Sequence, residues 1–246
     1  MPSLNRFHVL DVFGIPIYVN VSFVFLLIMF VIDMHSFSLG VGCALVLAIS
    51  IALHELAHAL TARIFGFRTR DITLSLLGGC ASLISLPRKG WQEFLTALAG
   101  PLMSFAISGA VLMLDVFGVP VRNEWPREML RYAFAMNLIL GFFNLLPGFP
   151  MDGGRIFRSI MRIFMNRARA TFIAMWVGRV VAVLIGLRGL WSMFNGGSFG
   201  FISIMIAWMI WQDGYREYLL AKQEEDFRNW TQDDFEARVS PPPYER

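Results

Sequence analysis

Residues 51–60 read I-A-L-H-E-L-A-H-A-L, and no other stretch restricts the chain as much. On a helix, positions four apart lie on one face, so His54 and His58 can present their imidazoles to a single metal ion with Glu55 beside them. Zinc takes imidazole nitrogen at about 2.0–2.1 Å, and two helical His plus a third protein ligand leave one position for water. An adjacent carboxylate can take a proton from that water. The motif also sits inside an apolar run, where an ionisable side chain costs about 2.5–3.5 kcal/mol on insertion scales and marks function by default. The alternative is a polar cluster that only hydrogen-bonds to neighbouring helices.

Hydropathy fixes the class. Apolar residues make up 56% of the 246, charged residues 16%, and mean hydropathy is +0.57. These values point to a polytopic α-helical membrane protein and exclude a soluble metalloprotease. The net charge of +3 comes from Lys and Arg lying between apolar runs, so it speaks for membrane orientation and against nucleic-acid binding. Cys43 and Cys80 have no C-x-x-C spacing and read as buried, inert thiols. No basic segment followed by a small-residue cleavage site opens the chain, so no removed leader is expected.

Six transmembrane helices are expected, over residues 19–31 (extended by Ile17, Tyr18 and Ile32), 42–64, 94–117, 130–146, 172–187 and 199–211. With Arg63 at one interface, His54 lies about 13 Å and His58 about 8 Å inside the boundary. Between the second and third spans, the strand from Ile72 to Leu76 and that from Ala81 to Ser85 flank Gly78-Gly79. They predict a small membrane-associated β-hairpin whose free edge can pair with an extended peptide, the alternative being an irregular re-entrant loop. Thr96, Gly100, Ser104 and Ser108 recur every four residues and read as a structural stripe for close helix packing.

After the fourth span, N-L-L-P-G-F-P-M-D-G-G-R (residues 144–155) must break the helix. Irregular backbone at that depth survives only against protein or a water-filled cavity. Asp152 there suits a carboxylate that completes a metal site; the alternative is an Asp capping the next helix. His8 and His35 are poorly placed as ligands. Arg179 lies inside the fifth span and either snorkels to the interface or pairs with a carboxylate near the site. Residues 213–246 read as a charged, disordered tail.

Basic residues orient the chain. Arg68, Arg70, Arg88 and Lys89 follow the second span, and Arg155, Arg158, Arg162, Arg167 and Arg169 follow the fourth; Arg122, Arg127, Arg131 and Arg188 lie on the opposite side. Both termini are therefore expected in the cytosol, with the metal toward the cytosolic leaflet of the plasma membrane.

With H-E-L-A-H in one span and the D-G motif after another, the chain resembles the site-2 protease family of intramembrane zinc metalloproteases over roughly residues 1–215. The resemblance implies one zinc per chain on His54, His58 and Asp152, with Glu55 as the base that activates water. It implies that Asn144 holds substrate or stabilises the oxyanion, and that the substrate is a single-span membrane protein cut in or near its transmembrane segment. Residues 1–215 would form the protease domain and 216–246 a cytosolic tail, in a compact form without the PDZ or cystathionine-synthase-type domains of some members. The competing readings are a catalytically silent homologue and a membrane protein that binds or transports zinc. A transporter would carry ligand pairs on several spans, and a silent homologue would have lost Glu55 or a ligand.

Overall fold

The structure, a computed structural model, describes residues 6–33, 36–75, 78–83, 89–117, 123–196 and 200–239. It divides into two compact units, residues 1–145 and 146–246.

The first unit opens with strands β1 (Arg6–Val12) and β2 (Ile15–Asn20). Phe13 and Gly14 join them with φ of 52° and 77°, the positive values that a tight two-residue hairpin turn requires. Residues 17–19 therefore belong to a strand, and the first helix starts later than hydropathy suggests. Asn20 sets that start: its side chain accepts from the Ser22 amide at 3.1 Å, capping α1 (Val21–Asp33). Helix α2 (Phe37–Ile64) carries the two histidines, and β3 (Thr69–Ser75) and β4 (Gly78–Leu83) follow. Gly78 and Gly79 thus open β4 rather than forming the turn, while His35, Leu76, Ile84 and Ser85 lie outside the described residues.

The sheet runs β1-β2-β3-β4, with β2 and β3 parallel at Ile17 opposite Ile72 and the outer pairs antiparallel. Ile15, Ile17, Ile72 and Leu74 pack with Phe23 of α1 and Ile51, Leu56 and Ala59 of α2, so the sheet rests on the helix that holds the motif. Helices α3 (Gly90–Val116) and α4 (Glu124–Asn144) complete the unit.

In the second unit, a Pro/Gly-rich segment leads into α5 (Asp152–Met161), followed by α6 (Arg167–Phe194) and α7 (Gly200–Val239). Backbone approaches closely here: a Cβ at Gly178 would lie 3.0 Å from the Gly148 Cα, and one at Gly154 2.7 Å from the Gly148 carbonyl carbon. Arg158 is buried between the Phe149 ring, 4.8 Å from its guanidinium, and Glu217 at 2.8 Å. The expected disordered tail is instead helix through Val239. Glu217, Glu224 and Glu225 take Arg158, Arg167 and Asn166 as partners, which gives the charged half of α7 a surface to hold.

Three of the described helices, α2, α3 and α6, are long and apolar enough to cross a membrane, at 28, 27 and 28 residues. Helix α1 has 13 residues, α4 begins with Glu124, Arg127, Glu128 and Arg131, and α7 turns polar at Asp213.

Candidate metal centre

Helix α2 places His54, Glu55 and His58 with exposures of 2%, 9% and 6%. The two imidazoles stand edge to face, their centroids 4.9 Å apart and their planes at 79°. Each ring is held through Nδ1 by α3. His58 Nδ1 lies 2.7 Å from the Thr96 carbonyl and His54 Nδ1 lies 2.9 Å from the Ser104 hydroxyl. A carbonyl oxygen only accepts, so the neutral His58 ring carries its proton on Nδ1 and presents the Nε2 lone pair. This is the anchoring that metal-binding histidines need: the far nitrogen fixes tautomer and ring angle.

Both Nε2 atoms point at Gly100. A Cβ there would fall 2.6 Å from His54 Nε2 and closer still to His58 Nε2. Only a residue without a side chain leaves that space open. Pro101 follows at once and removes the rung that its amide would give to the Ala97 carbonyl, which is tolerated where neighbouring helices surround the site. The stripe that reads in sequence as mere packing therefore frames the imidazoles: Thr96 and Ser104 anchor them and Gly100 makes room. Their spacing was the available signal, because it matches that of two ligands one turn apart on the neighbouring helix.

A second buried contact lies one turn before His54. Asn137 of α4 is fully buried and donates from Nδ2 to Ser50 Oγ at 2.8 Å, while its Oδ1 has no partner. An Asn in the middle of an apolar span was its sequence signal. Asn144, at the end of α4, is half-buried and donates to the Leu140 carbonyl of its own helix at 3.0 Å.

In the second unit Asp152 is 7% exposed and is the first residue of α5, so it is a helical residue rather than part of the irregular loop expected from the Pro and Gly around it. Met151 is the N-cap, and Asp152 lies in the first turn of the helix. His54, His58 and Asp152 are each buried and each offers one ligand atom, and two imidazoles with a carboxylate are a donor set that catalytic zinc accepts.

In the sheet, β3 is paired along both sides, by β2 at Ile17–Val19 and by β4, so the segment from Ile72 to Leu74 has no open edge. Among the described residues β4 has a strand on one side only.

The sequence profile of peptidase family M50 matches residues 42–125 and 108–187 of this chain. A zinc metalloprotease of Methanocaldococcus jannaschii is 32% identical over 221 residues, covering 89% of this chain and 62% of that protein. A relative in Synechocystis sp. is 33% identical over 255 residues, covering 96% of this chain and 66% of the relative. This chain thus spans a little under two thirds of the length of these relatives. Among solved structures, the site-2 protease from Methanocaldococcus jannaschii superimposes with a TM-score of 0.66 at 30% identity, over 87% of this chain and 95% of that one.

Proposed function

The chain belongs to peptidase family M50, and from that premise we propose that it is an intramembrane zinc metalloendopeptidase. Its substrate is a single-span membrane protein, cut in or near the transmembrane segment. The observation that carries this reading is the pair of buried imidazoles anchored through Nδ1 and aimed at Gly100. Nε2 of His54, Nε2 of His58 and a carboxylate oxygen of Asp152 would hold one zinc ion. When bound, the ion supplies Lewis acidity to the scissile carbonyl and to the attacking water. Glu55 takes the proton from that water and delivers it to the leaving amine.

A peptide bond in a transmembrane helix is hydrogen-bonded and shielded, so the substrate must unwind locally. The side of β4 away from β3, from Ala81 to Leu83, suits that task because an added strand needs an open edge; β3, paired on both sides, is the poorer candidate. Asn144 is assigned to the substrate or the oxyanion on the family resemblance.

Strand parity supports further crossings. β2 and β3 are hydrogen-bonded neighbours and so lie on one side of the bilayer, yet α2 between them is long enough to cross it. The chain must then cross twice between them, and α1 is the other helix available. Its 13 residues reach about 20 Å, which a locally thinned bilayer accommodates. α4 returns the chain after α3, and the apolar start of α7 returns it after α6. This gives six spans in the plasma membrane, with both termini and the sheet in the cytosol and the metal toward that leaflet. Residues 1–215 form the protease domain and 216–246 a tail that begins within α7.

The test is comparative proteomics of membrane fragments from cells carrying the chain or its Glu55→Gln variant. Fragments cut within a membrane span should be present with the former and missing with the latter. Identical fragment sets would refute the protease assignment.

A further inference from the structure

Arg179 lies in α6, one of the helices long enough to cross a membrane. Its guanidinium lies over two indole rings, 4.9 Å from the centroid of Trp176 and 4.6 Å from that of Trp211 on α7. Among the described residues no carboxylate pairs with it, and its Nε is buried without an acceptor. Asp213, two residues beyond Trp211 on α7, is engaged by Arg216 at 3.2 Å. Contact with aromatic faces suits a guanidinium's charge but does nothing for the N–H groups around its rim. The buried Nε is out of any ligand's reach, but Arg179 as a whole is part-exposed, and in lipid its outer N–H groups, with no carboxylate among the described residues to meet them, call for an acceptor from outside the protein.

The packing of α6 on α7 sets the depth. Gly214 lies against Met175, the Phe172 and Tyr218 rings are 5.3 Å apart, and Gly189 meets Gly200. The polar part of α7 therefore begins level with Met175, and from Trp176 to Phe194 the helix rises about 27 Å, close to the thickness of a hydrocarbon core. Arg179 and its two indoles stand at the edge of that slab, where Trp is enriched and lipid phosphates are within reach. Trp176 and Trp211 are 49% and 42% exposed, so the cage opens sideways.

We propose that Trp176, Arg179 and Trp211 form a binding site for the phosphate of an anionic phospholipid, the guanidinium rim donating to phosphate oxygens and the indoles packing against the glycerol and upper acyl chains. The site lies wholly on α6 and α7 and is independent of the metal chemistry.

The test is native mass spectrometry of the purified full chain titrated with phosphatidylglycerol, phosphatidylcholine or inorganic phosphate. The unaltered chain should retain one phosphatidylglycerol with about fivefold preference over phosphatidylcholine, the effect of one basic side chain at an anionic surface. Arg179→Gln should abolish the preference and Trp211→Leu should reduce it. If Arg179→Gln fails to fold, Arg179→Lys, which keeps the charge but loses the planar fork, should lower the preference without abolishing it. Preference unchanged in these variants, or lipid displaced by millimolar inorganic phosphate, would overturn the assignment.

Discussion

Thr96 and Ser104 show how much of the candidate metal site lies outside its candidate ligands. One contributes a backbone carbonyl and the other a hydroxyl, and each fixes an imidazole through Nδ1. Ser104→Ala should lower zinc affinity by about 10–100-fold, the range for lost outer-shell partners, and chelator titration would measure it. Thr96→Ala should not, because the contact uses the main chain. Gly100→Ala is the harsher change: the added methyl occupies the space in front of both Nε2 atoms, and zinc content after purification should fall to near zero. Asp152→Ala should lower zinc per chain as well; unchanged stoichiometry would remove it from the ligand set. The two candidate histidines stand out in sequence because i, i+4 spacing is a local rule, whereas Ser104 lies 50 positions from His54 and its contact needs the packing of α2 on α3.

Among the elements, the helix ends depart most from hydropathy. The apolar run through residues 15–32 conceals a strand and a helix, and only Asn20 marks the junction by capping α1. The charged half of α7 reads as disordered by composition, yet Arg158, Arg167 and Asn166 supply partners that composition cannot reveal. Close backbone packing in the second unit gives a matched pair of predictions. A methyl at Gly178 would press on the Gly148 Cα at 3.0 Å, while one at Gly186 meets the Ala207 Cβ at an ordinary 3.5 Å. Gly178→Ala should therefore destabilise by about 1–3 kcal/mol in thermal melts, and Gly186→Ala should be neutral or slightly stabilising. Equal melting points would contradict this packing.

For the whole molecule, the membrane class follows from composition alone, but the number of crossings does not, because short or charged-ended spans fail the length and hydropathy test that α2, α3 and α6 pass. The parallel pairing of β2 with β3 bears on α1 and α2 alone, and it is a long-range contact that no local pattern encodes. If α1 and α2 both cross, Asp11→Cys and Arg70→Cys, introduced separately into a chain lacking Cys43 and Cys80, should react with an impermeant maleimide from the cytosolic side only. Labelling from opposite sides would break the six-span account.

The proposed chemistry rests on Glu55 moving a proton while the ligands hold the ion. The most direct measurement sets zinc content beside cleavage of a membrane-embedded helical substrate, for the purified chain and for Glu55→Gln. One zinc per chain in both, with cleavage slowed by about 10²–10⁴-fold in the variant, is the predicted result. A variant that retains zinc and cleaves at the unaltered rate would contradict it.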